Sequence, residues 1–340
     1  MWHVRPATAA DLPAMQELAS HTGGGLTNLP PDKAALARRL EWTEASFART
    51  EDAPDNELYI LLLENVATGQ IGGCGMAFSR IGAEWPFYSY KLGTLSQTSR
   101  ALGRSFAMPF LSLVTDHDGA SEVGGLFLHP ALRTDGLGKL LARSRYLFIA
   151  QHRARFGDKM LAELRGVIDE TGNSPFWDGL GAKFFGMDFT EADKFNAVHG
   201  NQFIADLMPR HPIYTALLPQ SAQAVIGKPH PKGRAALAML EAEGFTYDNY
   251  VDIFDGGPTV TARTDQLRSV REARVTKVLA LLAPGEEAEN ACRPALIASG
   301  TLRQFRCWRG LAGGDGTALP RAEAEAMGIH PGDDIRHLEA

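Results

Sequence analysis

The segment Arg133-Thr134-Asp135-Gly136-Leu137-Gly138 constrains this chain most, because an apolar strand candidate, Val123 to Leu128, runs into it and an amphipathic helix candidate leaves it near Gly136. A strand that restarts as a helix through a glycine-bearing turn presents the helix N-terminus at the sheet edge. The two glycines let the backbone approach an anion closely, and the free N–H groups and dipole of the first helical turn suit a pyrophosphate. Arg133 adds a bidentate, charge-assisted contact, so Arg133, Gly136 and Gly138 are the candidate cofactor-binding residues. Leu137, Leu140, Leu141, Leu147 and Phe148 recur at helical spacing, which turns one face of the helix onto a core. A Walker loop would need glycine in place of Arg133 and a hydroxyl residue after Lys139, and a dinucleotide fingerprint would need glycine in place of Leu141. The Arg-x-x-Gly-x-Gly pattern that remains also serves a purely steric strand-to-helix turn, and six residues leave both readings open.

Composition narrows the class. With 340 residues, 44% of them hydrophobic, the chain is long enough for more than one core. A formal charge of -6 argues against general nucleic-acid binding. No apolar run is long enough to span a bilayer, and Met1-Trp2-His3-Val4-Arg5 lacks a signal-peptide core. Cys74, Cys292 and Cys307 are far apart and show no metal spacing, so they are expected to be reduced structural residues of a cytoplasmic protein without a bound metal.

Along the chain, Val4 to Thr8 is expected to be a first strand, followed by a helix with Asp11 at its N-cap and a second helix over Pro31 to Arg49. Gly23-Gly24-Gly25 lies between the two helices, either as a connector or as a source of backbone donors. Leu58 to Leu63 and Gln70 to Phe78 flank Thr68-Gly69 as a hairpin. Phe110 to Val114 and Ser121 to Leu128 are expected to form a second strand pair. The motif helix runs to about Arg155, and Met160 to Val167 returns as a strand parallel to Val123–Leu128. Further on, a helix over Ala235 to Glu243 ends at Gly244, Phe245 to Phe254 is extended, and Asp265 to Leu282 reads as helical. The expected units are a core over residues 1–188, a second lobe over 189–264 completing the cleft, and a helix plus small mainly β module over 265–340.

Strand, two helices, antiparallel hairpin, strand, phosphate-facing turn, helix and strand together resemble the GNAT superfamily of CoA-dependent N-acyltransferases, and Arg133 to Gly138 matches its Arg/Gln-x-x-Gly-x-Gly/Ala pyrophosphate motif. Longer runs narrow the resemblance. Leu18 to Thr27, Met160 to Glu170, Ser174-Pro175-Phe176-Trp177 and Ile253 to Thr259 are similar to the arginine N-succinyltransferase family. The resemblance implies an α/β mixed sheet with helices on both faces, succinyl-CoA as co-substrate with no prosthetic group, L-arginine as acceptor, and N2-succinyl-L-arginine as product. It also implies a homo-oligomer, or a hetero-oligomer with a related chain.

An α-amine has a pKa of about 8 and must lose a proton before it attacks a thioester, and the departing sulfur needs one. His230, bracketed by Pro229 and Pro231, is the position matching the family's catalytic proton donor, although two prolines suit an ordinary loop equally well. His117, between Asp116 and Asp118, is the alternative, with neighbours expected to raise its pKa. Leu126 matches the family's succinyl-CoA contact, made through the main chain. Glu163, Asp169, Glu170, Asp252 and Asp255 are candidates for the guanidinium. Arg165 shares the strand face of Glu163 and is a candidate for a carboxylate of succinate or arginine. Two rival readings keep the fold: another basic acceptor such as ornithine, or a CoA-binding subunit of a hetero-oligomer.

Overall fold

The computed structural model describes residues 1–22, 26–133, 136–199, 202–286, 291–313 and 317–339. The triple glycine and the Thr134-Asp135 centre of the glycine motif lie outside them. Chain order begins with β1 (Trp2–Pro6), α1 (Leu12–Ser20), α2 (Lys33–Ala48), β2 (Leu58–Asn65), β3 (Ile71–Phe78), β4 (Ser89–Ser99), β5 (Arg104–Val114), β6 (Ser121–Leu128), α3 (Leu137–Gln151) and β7 (Lys159–Glu163). β2 is buried along most of its length, and its alternation assigns each residue to a layer. Leu58, Ile60 and Leu62 pack with α1 and α2, whereas Tyr59, Leu61 and Leu63 pack with α3. The sheet therefore carries helices on both faces, as expected of this fold class.

A second group follows: α4 (Pro175–Gly179), α5 (Ala182–Phe185), α6 (Phe189–His199), α7 (Gln202–Leu207), β8 (Ile213–Tyr214), α8 (Gln220–Val225), α9 (Arg234–Glu243), β9 (Thr246–Val251), β10 (Pro258–Arg263) and α10 (Arg268–Glu272). Trp177, Phe176, Ile204 and Val251 gather its short helices into an apolar cluster of their own. α9 instead packs Leu240 beside α3, under the first part of the chain. The last group is β11 (Arg274–Lys277), β12 (Ala280–Leu282), β13 (Arg293–Ser299), β14 (Arg306–Ala312), β15 (Ala318–Pro320), α11 (Arg321–Met327) and β16 (Asp334–Glu339).

Among the described residues, one 14-stranded sheet runs β11-β16-β13-β14-β1-β2-β3-β6-β7-β10-β9-β4-β5-β8. All its pairs are antiparallel except β6 with β7. Three expectations differ from this arrangement. Phe110–Val114 does not pair with β6; it belongs to β5, which forms a long hairpin with β4 at the far side of β9. Asp265–Leu282 is not one helix: α10 spans five residues before β11 and β12 begin, because Val275 and its neighbours pair with β16 instead. Asp11 stands at the start of α1 but its carboxylate accepts from Thr8 N–H and from Arg5, closing a short 3-10 turn rather than capping α1.

The crossover from α3 to β7 is fixed by a buried arginine. Arg155 is 1% exposed, and its guanidinium donates to Asp52 at 2.9 Å, Glu57 at 3.3 Å, the Tyr59 hydroxyl at 3.2 Å and the Arg49 carbonyl at 2.9 Å. Its own carbonyl accepts from the Ser79 hydroxyl, and Ser121 Oγ accepts from Gly157 N–H at 2.8 Å. Arg155 thereby ties the start of β7 to β2, β3 and β6. Arg155→Ala removes one of the two arginines that neutralise buried Glu57, leaving Arg49 at 3.1 Å, and empties the contacts to Asp52, Tyr59 and the Arg49 carbonyl, which is expected to cost about 3 kcal/mol. Urea unfolding of the variant beside the parent protein measures that loss.

Candidate active site

β6 and β7 pair only at Ser121 with Met160 and Glu122 with Leu161. Beyond Glu122 the strands part. The register of β6 against β3 jumps between Cys74 and Met76, and Gly125 adopts φ +54° opposite them, which is a β-bulge. A side chain on Gly125 would collide with Met76. On the other side, β7 ends at Glu163, and Leu164 to Gly166 is held instead by a second layer of main-chain bonds: Leu164 N–H to the Pro258 carbonyl, His230 N–H to the Arg165 carbonyl at 2.7 Å, and a bridge between Gly166 and Pro229.

A cleft of about 450 Å³ occupies the gap. Its two ends differ in charge. On the α3 face it is lined by Lys139, Arg143, Arg145 and Tyr146 of α3, by Ala236, Leu240 and Glu243 of α9, the last ion-paired to Arg143 at 3.3 Å, and by Arg268, a net excess of cations. On the α1–α2 face it is lined by Asn28, Glu122, Glu163, Asp193, Asp252 and Asp255. Strand alternation explains the second set: Val123, Ala162 and Leu164 point to the α3 core, so Glu122, Glu163 and Arg165 point the other way.

Burial lifts these carboxyls. The Glu122 carboxyl rises to about 7, with Arg39 and the Asn28 amide opposing the rise. Glu163 and Asp255 lie well above the usual carboxylate range, from burial first and then from the repulsion of neighbouring acids, Asp252 foremost. Asp252 and Asp193 are raised by burial as well. Crowded acids in a water-poor cleft favour a bound cation, because a cation restores their ionised form. Asp255 has a further duty: its two oxygens accept from Gly166 N–H at 2.7 Å and Gly257 N–H at 2.8 Å, clasping the end of β7 to the turn before β10.

Beside the Lys139 end of the cleft, α3 starts at Gly136 with φ +73°, and among the described residues no side chain caps it, an arrangement suited to an anion. Nothing closer than 3.8 Å would meet a side chain on Gly138. Arg133 is exposed and donates weakly to the Leu128 carbonyl at 3.4 Å. A Cβ on Gly136 would lie 3.0 Å from Arg309 Nη1. Arg309 comes from β14, a segment that carried no recognisable pattern, and only the sheet order brings it here.

The structure brings Leu126, Glu163, Arg165 and Asp255 to one cleft. It does not bring Asp169 and Glu170 there. Both are exposed, and the Asp169 carboxylate accepts from Thr171 and Asn173 N–H within its own turn. His230 is half-buried just outside the lining, three residues before Gly233 and bonded through its backbone to Arg165. Its Nδ1 accepts from Lys232 N–H at 3.2 Å, which puts the proton of the neutral ring on Nε2. Burial, then Arg165 and Lys232, hold its pKa below the ordinary histidine value. Asp252 lines the cleft as the sequence suggested, and Asp193, Glu122 and Asn28 add to the site; their convergence depends on α6, β6 and the loop before α2, and no local spacing signals it.

His117 differs from expectation. It is fully buried, its Nδ1 lies 2.8 Å from Lys159 Nζ, and its ring packs 4.4 Å from that of Tyr250. Burial and the Lys159 charge push its pKa down to about 4, outweighing the Asp116 carboxylate that was expected to raise it.

The chain is a mixed α/β acyltransferase whose cleft opens where a parallel strand pair parts around a bulge, with the start of α3 on one side and acidic groups on the other. The family described as arginine N-succinyltransferase beta subunit matches residues 2–269. An arginine N-succinyltransferase of Escherichia coli strain UMN026 is 42% identical over 339 residues, 99% of this chain and 97% of its own. Its counterpart in Salmonella arizonae is 42% identical over 336 residues, 98% of this chain and 96% of its own. The solved structure of arginine/ornithine succinyltransferase subunit AI from Pseudomonas aeruginosa superposes with a TM-score of 0.89 at 36% identity, covering 100% of this chain and 98% of that one. The chain belongs to the arginine N-succinyltransferase family and is an acyltransferase.

The depressed pKa of His117 has a thermodynamic consequence. Between about 6.5 and about 4 the unfolded chain holds a proton that the native ring refuses. Its contribution to stability is complete above that window and falls as pH drops through it, by up to about 1.4 kcal/mol per pH unit. His117→Gln is expected to flatten this part of the curve of Tm against pH, which differential scanning calorimetry resolves.

Proposed function

We propose that this enzyme transfers the succinyl group of succinyl-CoA to the α-amine of L-arginine, releasing N2-succinyl-L-arginine and CoA. The opposed charge of the two ends of the cleft carries the reading. Polyanionic CoA suits the end with Lys139, Arg143 and the α3 start, and a guanidinium suits the end with Glu163, Asp193 and Asp252. Arg133, Gly136 and Gly138 take the pyrophosphate. Leu126 and the adjoining bulge hold the thioester arm through main-chain groups, where a backbone N–H can stabilise the tetrahedral oxyanion. Arg165, the cation among the acids, takes a carboxylate of one of the two substrates.

Transfer is direct, within a complex of both substrates. The amine nitrogen adds to the thioester carbon, the C–S bond breaks, and His230 gives a proton to the leaving sulfur. His230 donates as the imidazolium, returns to the neutral ring whose Nδ1 accepts from Lys232 N–H, and is recharged by the surplus proton of the adduct. No cysteine lines the cleft among the described residues, in keeping with a route that has no acyl-enzyme.

CoA release from succinyl-CoA by the purified protein, scanned over L-arginine, L-ornithine, L-lysine and agmatine with acetyl-CoA as the donor control, tests the assignment. The expected result is release dependent on arginine and confined to succinyl-CoA, with agmatine inert for want of an α-carboxylate. Equal turnover of ornithine would widen the acceptor class, and release with acetyl-CoA would refute the donor. His230→Ala is expected to lower kcat by roughly 10²- to 10⁴-fold while the Kd for CoA stays within a few-fold by calorimetry. Unchanged turnover in that variant would remove His230 from the mechanism.

A further inference from the structure

The proposed donor carries a charge that the thioester chemistry does not use: the free carboxylate of the succinyl group, two methylenes from the carbon that is attacked. A cleft that selects this donor needs a cation where the acyl group lies. Among the described residues five cationic side chains line it, Lys139, Arg143, Arg145, Arg165 and Arg268. Most are placed for other work. Lys139 belongs to the first turn of α3, beside the start assigned to the pyrophosphate. Arg143 pairs with Glu243 at 3.3 Å and Arg268 with Glu272 at 3.0 Å. Arg165 stands in the field of Asp193 and Asp255, among the acids that suit the acceptor, and its main-chain carbonyl accepts from His230 N–H. Arg145 is placed differently. Its stem crosses Gly75, the β3 residue that the register against β6 skips, and a Cβ there would fall 3.1 Å from Arg145 Cδ. Its Nη1 donates to the Gly124 carbonyl at 3.2 Å, so the guanidinium lies against the strand that bulges at Gly125, where the thioester arm is assigned.

We propose that Arg145 is the donor-specificity residue of this enzyme and receives the free carboxylate of the succinyl group. The assignment rests on the acyl-transfer reading given above, and it leaves Arg165 to the α-carboxylate of the acceptor. Arg145 is 3% exposed and lines the cleft. A guanidinium has N–H groups to spare: here Nε donates to the Ala142 carbonyl and Nη1 to the Gly124 carbonyl, both at 3.2 Å, and among the described residues no carboxylate pairs with it. Glu243, the acid whose charge acts on it, is already held by Arg143 and by the Ser269 N–H and hydroxyl. Burial therefore holds this guanidinium below the ordinary arginine value. A buried cation without a counter-ion is costly, and a bound carboxylate removes the cost by supplying the missing charge in a two-pronged contact. A neutral acyl group of the same length would reach the same place and leave the cation bare. Sites built to bond a polar group discriminate strongly against the analogue that lacks it.

Succinyl-CoA and butyryl-CoA have acyl chains of equal length and differ in the carboxylate. With L-arginine as acceptor, the parent enzyme is expected to favour succinyl-CoA in kcat/KM by roughly 10⁴-fold, and Arg145→Met, which keeps an apolar stem over Gly75, to lower that ratio by about 100-fold or more. Arg145→Lys is expected to fall between the two. Arg165→Met should raise the KM for L-arginine and leave the donor ratio within a few-fold of the parent. A calorimetric Kd for each thioester without acceptor reads the same preference, and a Kd for CoA itself within a few-fold of the parent reports an intact fold in each variant. Arg145→Met slowed equally with both donors would make Arg145 a prop of the bulge and overturn the assignment. A collapsed donor ratio in Arg165→Met would overturn it too, even if Arg145→Met fails to fold. A parent enzyme that uses butyryl-CoA as well as succinyl-CoA refutes the succinyl donor and Arg145 together, whereas a preference for succinyl-CoA that survives in Arg145→Met refutes Arg145 alone. A parent inert toward every amine refutes the transfer reading, and the two thioester Kd values then still decide the role of Arg145.

Discussion

Everything at the cleft depends on β6 and β7 being parallel neighbours for two residues and no further. Backbone N–H and C=O groups in a sheet interior must find partners, so two central strands can part only where something replaces the lost ladder. Here the replacement is asymmetric. On the β6 side a bulge at Gly125 absorbs the change of register; on the β7 side the 164–166 segment is carried by Pro258, His230 and the Asp255 clasp. The opening is thus held apart by covalently distant pieces, and its width follows from the sheet itself.

The gap passes through the sheet, and this gives one cleft two chemical environments. On the α3 face, cations and an uncapped helix start face the opening; on the α1–α2 face, acids crowd together with their ionised forms suppressed by burial. In the proposed reaction this sorts the two reactants by charge before they meet at the bulge. Proximity of this kind accounts for a large part of the acceleration available to a transfer between two bound molecules. It needs no nucleophile of the protein's own.

Much of the frame was legible. Apolar runs of strand length around Thr68-Gly69, the helical spacing after Gly136 and the return at Met160 mark β2, β3, α3 and β7 through local periodicity, and the family runs supplied the chemistry. What failed to show did so for physical reasons. Ser121–Leu128 pairs across the chain with β3, because the intervening hairpin of β4 and β5 turns away to β9; strand adjacency is a tertiary choice that no alternation encodes. The 265–282 stretch has helical spacing, but pairing with β16 satisfies its backbone better than continuing α10. Asp169 and Glu170 sit in a recognisable run and yet serve a turn, whereas Glu122 reads as an ordinary alternating polar residue until Asn28 and the bulge enclose it. The neighbours of His117 read as charge-raising because Lys159 and Tyr250, distant in sequence, were invisible.

β14 lies against β1, with Trp308 opposite His3, and it brings Arg309 to the glycine that opens α3. The central strand order therefore joins segments far apart in the sequence. Closing so long a loop is entropically expensive and kinetically late. β2, β3, β6 and α3 come from neighbouring segments, but β1 keeps an open edge, and Gly136 lacks Arg309 beside it, until β14 is in place. A chain truncated before β14 would carry the whole glycine motif with a bare sheet edge at β1 beside it.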